Sequence, residues 1–159
     1  MGTSIRRSAV TATAVAAASL LGAGAASGAA ADAVPVRGVQ VAQQTSGNLL
    51  GGFSDTTVTS FRSHPSGAYT LTFTERFTGC IDEDGSTTCD AGERAGTLEF
   101  SGSLSGTPDP STPTGAGSAR GIEHVTSGTG AFARARGVLT FHVDVQTGAI
   151  PFHGVIVVR

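Results

Sequence analysis

Ser127-Gly-Thr-Gly-Ala-Phe-Ala-Arg-Ala-Arg-Gly137 runs directly into Val138-Leu-Thr-Phe-His-Val-Asp-Val145. Gly128 and Gly130 make a tight turn cheap, because glycine accepts a positive φ without a steric penalty. Phe132 is the one large apolar side chain of the first segment, and Ala133, Ala135 and Gly137 leave room around it. The pattern predicts a strand-to-strand corner in which a single aromatic is anchored while the backbone passes close to a neighbour. The run that follows alternates strictly. Leu139, Phe141, Val143 and Val145 share one face, and Thr140, His142 and Asp144 share the other, as in a half-buried strand.

The same period of two continues outward from this corner. Upstream, Ala68 to Cys80 sets Tyr69, Leu71, Phe73, Glu75 and Phe77 against a wet face of Thr70, Thr72, Thr74, Arg76 and Thr78. Gly96 to Gly106 places Leu98, Phe100 and Leu104 together, and Phe53 to Arg62 also alternates before the turn Ser63-His-Pro-Ser-Gly67. Val39 to Gln44 reads as a short first strand, Gly47 to Gly52 as a loop, and Thr107 to Gly117, with its prolines, as an exposed loop. Ser118 to Thr126 reads as a strand whose inward face is undecided, because Ile122/His124 and Glu123/Val125 compete. Ile150 to Arg159 closes the chain as a strand. The expectation is an all-β chain of about eight sequential strands with almost no helix, closed into a single small antiparallel barrel, since closure removes exposed edges. A two-sheet sandwich is the alternative.

The N-terminal region is of another kind. Arg6 and Arg7 precede an apolar run around Val10 to Leu21, and small residues lead to Ala31-Asp32-Ala33. That order is the signature of a secretory signal peptide, expected over 1–33, with a cut near Ala26 or Ala29 as the alternative. The barrel domain is then 34–159, the product is expected to be secreted and extracellular, and no stable membrane span is expected. The formal charge of −2, with ten scattered arginines and no lysine, excludes a basic stripe and with it nucleic-acid binding. Cys80 and Cys89 are the only cysteines, and in an exported chain such a pair is expected to form one disulfide. Closing so short a loop adds roughly 2–3 kcal/mol, mainly by restricting the unfolded chain. Between them, Asp82, Glu83 and Asp84 precede Gly85, but Cys80 and Ala91 would then fall at the first and twelfth EF-hand positions, so the loop is read as an acidic turn.

At Gly128-Thr-Gly-Ala-Phe-Ala-Arg-Ala-Arg-Gly137 and the strand after it, the chain resembles the allene oxide cyclase and dirigent superfamily, whose members carry a Gly-Thr-Gly-x-Phe/Tyr-x-x-Ala-x-Gly corner between late strands. The likeness covers about twenty residues and speaks for fold. It implies an eight-stranded barrel around an apolar cavity, often assembled as a homo-oligomer, typically a trimer. Members with known activity steer the cyclisation or coupling of hydrophobic intermediates. No position here matches a catalytic motif of that family, so none of its catalytic residues is carried over.

Read from the residues themselves, Glu75 is the candidate catalytic group. A carboxylate on the core face between Phe73 and Phe77 pays desolvation when ionised, so its pKa should rise, as suits a general acid or base. The opposing reading puts it at the barrel mouth, solvated or paired with an arginine. Tyr69, Phe73, Phe77, Phe100, Phe141 and Arg136 are the candidate ligand-binding residues. Arg136, with Arg134 beside it, is placed on the side of Phe132, where a guanidinium could meet Glu75 or an anionic head group. His124, His142 and His153 lack metal-ligand spacing, and no nucleophile elbow or phosphate loop is present, so no metal and no cofactor is expected. The expected function is binding of a hydrophobic small molecule inside the barrel, with a cyclisation or coupling guided there. The alternative is a non-catalytic, lipocalin-like extracellular carrier or a structural module with a filled core.

Overall fold

The computed structural model describes residues 30–111 and 116–159, so residues 1–29 of the expected leader fall outside it. Eight antiparallel strands follow in chain order: β1 (Asp32–Val41), β2 (Gln44–Gly47), β3 (Leu49–Ser63), β4 (Tyr69–Ile81), β5 (Arg94–Pro108), β6 (Ala116–Gly128), β7 (Arg136–Val143) and β8 (Ala149–Val158). Each pairs with its neighbour in sequence, and β8 returns to β1 over the register Asp32↔Val158 to Val41↔Ala149, closing the barrel. Closure overturns the sandwich alternative: the chain's last long apolar strand satisfies the whole edge of its first. Among the described residues the one helical element is a 3-10 turn, Gly130–Phe132, at the corner between β6 and β7.

Several element boundaries differ from the sequence reading. The first strand begins at Asp32, and Arg94 makes an ion pair with that residue. The segment 47–52, expected as a loop, is instead the end of β2 and the start of β3. Asn48 makes this possible, because its side chain mimics a ladder partner: Oδ1 accepts from the Arg37 N–H at 2.8 Å and Nδ2 donates to the Pro35 carbonyl at 2.9 Å. The expected loop over 107–117 shrinks because β5 runs to Pro108 and β6 begins at Ala116. Strand β7 stops at Val143, and Val145 lies in the turn that Asp144 organises through Gln146, Thr147 and the Thr147 hydroxyl.

The two ends of the barrel are built differently. At the corner end, Phe132 is fully buried, with Phe53, Phe77, Leu98, Phe100, Leu139 and Ile156 in one continuous cluster. Phe53 packs against the Phe77 and Phe100 rings at 5.4 and 5.8 Å. The disulfide Cys80–Cys89 pins the 81–90 loop to this same end. Within that loop, burial pushes Asp82 up, but N–H groups of Thr87, Gly85 and Ser86 together with Asp84 outweigh it and hold the carboxyl below its ordinary range. At the far end, β3 outruns its partner. The β2–β3 ladder has only the pairs Gln44↔Gly52 and Thr45↔Gly51, so β3 beyond Phe53 pairs with β4 alone. The barrel is filled at one end and open at the other.

Phe132 is the plug of the filled end, so Phe132→Ala should cost about 3–5 kcal/mol. Urea unfolding of the variant against the parent measures this, and a loss below about 1 kcal/mol would mean that the corner is not a packing element.

Candidate functional site

The open end holds a cavity of about 270 Å³ lined by Gln40, Thr56, Val58, Leu71, Phe73, Glu75, Leu104, Glu123, Phe141, Val143 and Ile150. Strand register explains how these side chains meet. Phe73 lies opposite Gly102, and Gly102 lies opposite Glu123, so one glycine separates an aromatic from a carboxyl on the inner surface. A Cβ at Gly102 would come within 2.5 Å of the Phe73 ring and 2.8 Å of Glu123 Cγ. Across the cavity, the Phe141 ring lies over Gly121, its register partner, and meets Phe73 edge-on with centroids 6.1 Å apart.

Strand β6 therefore turns Glu123 and Val125 inward and Ile122 and His124 outward, which settles the face that the sequence left open. Glu75 and Glu123 are only 7% and 6% exposed, and their side chains are hydrogen-bonded to each other. The Thr56 hydroxyl donates to Glu75 Oε2 at 3.2 Å. These are the only two titratable side chains lining the cavity.

Two carboxylates at hydrogen-bonding separation repel by about 4 kcal/mol at an effective dielectric near 20, which is worth about three pKa units before desolvation is added. The pair therefore retains one proton at neutral pH. Burial, then the charge of Glu75, then the hydrogen bond to it push Glu123 up to about 9. Burial raises Glu75 as well, partly offset by the bonds from Glu123 and Thr56, so Glu123 is the member of the pair that holds the shared proton more tightly. Glu123 is thus a neutral acid that donates to Glu75, and Thr56 supplies a second donor. A proton donor and a proton acceptor face one small apolar space.

The sequence-predicted residues divide into groups. Phe73, Glu75 and Phe141 line the cavity together. Phe77 and Phe100 are in the filled half, 0% and 1% exposed, and do not reach it. Tyr69 stacks on Phe61 at 6.0 Å and lines a shallow depression with His64, Thr70 and Arg120. Arg136 and Arg134 are exposed while Phe132 and Ala135 turn inward, so the arginines are not on the side of Phe132 and do not meet Glu75. Arg76 is likewise an outer-surface group, paired with Glu99 and Asp55. Glu75 is partnered by a second acid, not by an arginine.

Glu123 is the candidate site residue that the sequence left unassigned. Hairpin counting holds the signal: β6 and β7 pair Glu123 with Leu139 and Val125 with Gly137, so an inward Leu139 requires an inward Glu123. Elsewhere, Asp82, Asp84 and Glu93 bring carboxyl oxygens within 4.8 Å of one another, but the loop's own N–H groups occupy these oxygens. No helix among the described residues is long and apolar enough to cross a membrane. Compared with protein-family models, curated proteins and solved structures, the chain shows no significant match.

The raised Glu123 pKa fixes the sign of a pH dependence. The folded state keeps a proton that the unfolded chain releases near 4.5, so this contribution to stability is complete below that pH and is lost as pH rises toward 9. Urea unfolding between about pH 5 and pH 9 should show stability falling with a slope of up to about 1.4 kcal/mol per pH unit. Glu123→Gln, which keeps a donor to Glu75 without a titrating group, should flatten that slope. An unchanged slope in the variant would remove Glu123 as its cause.

Proposed function

We propose that this is an exported small barrel that binds a compact hydrophobic molecule in the cavity at its open end. There the Glu75–Glu123 pair supplies a proton donor and a proton acceptor for an isomerisation such as a cyclisation. The observation that carries this reading is the carboxyl pair itself. Burying two acids against each other costs several kcal/mol that an apolar pair would not, and such costs concentrate at functional sites. The cavity, about 270 Å³ and walled mainly by Phe73, Phe141, Leu71, Leu104, Val58, Val143 and Ile150, sits just under the usual size of ligand pockets. It suits a small apolar ligand bearing one oxygen.

In the proposed step, Glu123 gives its proton to an oxygen of the ligand while Glu75 accepts a proton from a carbon or hydroxyl of the same molecule. The deprotonated atom attacks the carbon doubly bonded to that oxygen, and the C=O π pair moves onto the oxygen as Glu123 protonates it, so one ring σ bond and one O–H form while one π bond and one C–H or O–H break. The proton on Glu75 then passes to Glu123 along their hydrogen bond, restoring the starting state. Nothing is oxidised or reduced and no leaving group is lost, so no cofactor is called upon. Proximity and confinement supply most of the acceleration, with general acid–base transfer adding on the order of 10²–10⁴-fold.

The closed antiparallel barrel of eight strands and the glycine corner that plugs it support the allene oxide cyclase and dirigent resemblance. The Cys80–Cys89 disulfide fits an oxidising compartment and supports secretion. The filled half of the interior favours a second reading, a carrier that holds its small ligand without changing it. Both readings use one cavity and differ only in what the carboxyl pair does.

Titration with a neutral environment-sensitive dye such as Nile red tests occupancy. Val143→Trp, which fills the cavity, should weaken binding by about tenfold or more, whereas Phe77→Leu in the filled half should leave the affinity within about twofold. Equal binding by the Val143→Trp variant would place the ligand elsewhere. Incubation with a candidate open-chain ligand, followed by chromatography and NMR of the released molecule, then separates the readings. A ligand recovered as a ring-closed isomer of what was added supports catalysis, and one recovered unchanged supports the carrier.

A further inference from the structure

A second concavity lies not in the barrel but on its outside, at the corner end. There the β6–β7 ladder stops at Val125↔Gly137, while β6 continues to Gly128 along β5 and β7 begins at Arg136 along β8. The two strands diverge, and the segment Thr129–Ala135 bridges them. The gap is a cleft of about 730 Å³ lined by Thr126, Ser127, Gly128, Gly137, His124, Arg134 and Arg136. Arg159, from beyond the end of β8, also lines it, but the two corner arginines carry the argument.

Charge singles this cleft out. The chain is net acidic, yet β6, the corner, β7 and β8 contain one acid between them, Glu123, and it points into the barrel. Among the described residues neither Arg134 nor Arg136 takes part in an ion pair, whereas Arg76 and Arg94 are each paired with two carboxylates. Arg134 is also held at φ +67°, a left-handed conformation that a side-chain-bearing residue adopts at a cost. The buried Phe132 and Ala135 on either side fix it there. The result is two forked cations presented from one rigid corner beside a polar, concave backbone edge.

We propose that this cleft binds an oxyanion, a phosphate or sulfate group of a ligand, held by the guanidinium groups of Arg134 and Arg136. Guanidinium forks match tetrahedral oxyanions through paired charge-assisted hydrogen bonds, and nearby backbone and imidazole N–H groups extend the same donor surface. The site is separate from the Glu75–Glu123 cavity, which lies at the opposite end of the barrel, and does not depend on what happens there. The group could come from a free small anion or from an anionic polymer that carries it.

The test is amide NMR on the full chain, with sodium sulfate titrated against sodium chloride at matched ionic strength. Saturable shifts confined to residues 124–137 in sulfate, and weakened at least about tenfold in Arg134→Gln/Arg136→Gln, are expected. Equal shifts in chloride, or shifts unaltered in the double variant, would overturn the proposal. A parallel titration with heparin distinguishes the sources. Much tighter, steeply salt-dependent binding that the double variant abolishes indicates a polymeric ligand, and no gain over inorganic sulfate indicates a small one. Heparin binding that survives the double variant while the sulfate shifts are absent would also overturn the site. The double variant's amide spectrum away from the corner should match the parent's, which excludes misfolding as the cause of any loss.

Discussion

A closed ring of eight strands has too little room for a large side chain on every strand at one level, and at five positions of this barrel a glycine stands directly across from one. Phe73 faces Gly102, Phe141 faces Gly121, Phe152 faces Gly38, Tyr69 faces Gly106 and Leu139 faces Gly154. In each of these pairs a Cβ on the glycine would fall within 2.7 Å of a neighbouring atom. The abundance of glycine in these strands is therefore not looseness. It is the complement of the large inward side chains, in pairs that span β1 and β4 to β8.

The same constraint produces the site. At the corner end the aromatics meet one another, and Phe132 enters from the 3-10 turn to complete a continuous apolar cluster. At the other end the Phe73 and Phe141 rings reach over Gly102 and Gly121 and leave a cavity, with Glu75 and Glu123 lining it. Gly102 is the hinge of this arrangement, since it gives room to both the Phe73 ring and the Glu123 side chain. The proton shared by the two acids follows from geometry. Two carboxyls forced together away from water keep one proton between them because ionising both costs more than holding it.

How much of this the sequence discloses depends on how local each signal is. The alternation of Phe73, Glu75 and Phe77, the glycine corner, the Cys80–Cys89 bridge and the all-β class are properties of short stretches, and they read correctly. Glu75 is legible as an acid out of place for the same reason. Glu123 is not, because Ile122 is the more hydrophobic neighbour and local hydropathy favours the wrong face; only the register with β7 across a corner of unknown length decides it. The orientation of Arg134 and Arg136 fails similarly. A residue at φ +67° breaks the alternation on which a facing argument relies. Phe77 and Phe100 are correctly inward, but their depth along the barrel, and so their absence from the cavity, is a long-range property.

The central claim is that the buried Glu75 and Glu123 share one proton at neutral pH. Carbon-13 NMR titration of the glutamate side-chain carboxyls, assigned with Glu75→Gln and Glu123→Gln, tests it most directly. One of the two signals should remain that of a protonated acid well above neutral pH, and it should vanish in the Glu123→Gln protein. Two signals titrating independently in the ordinary carboxylate range, near 4, would contradict the account.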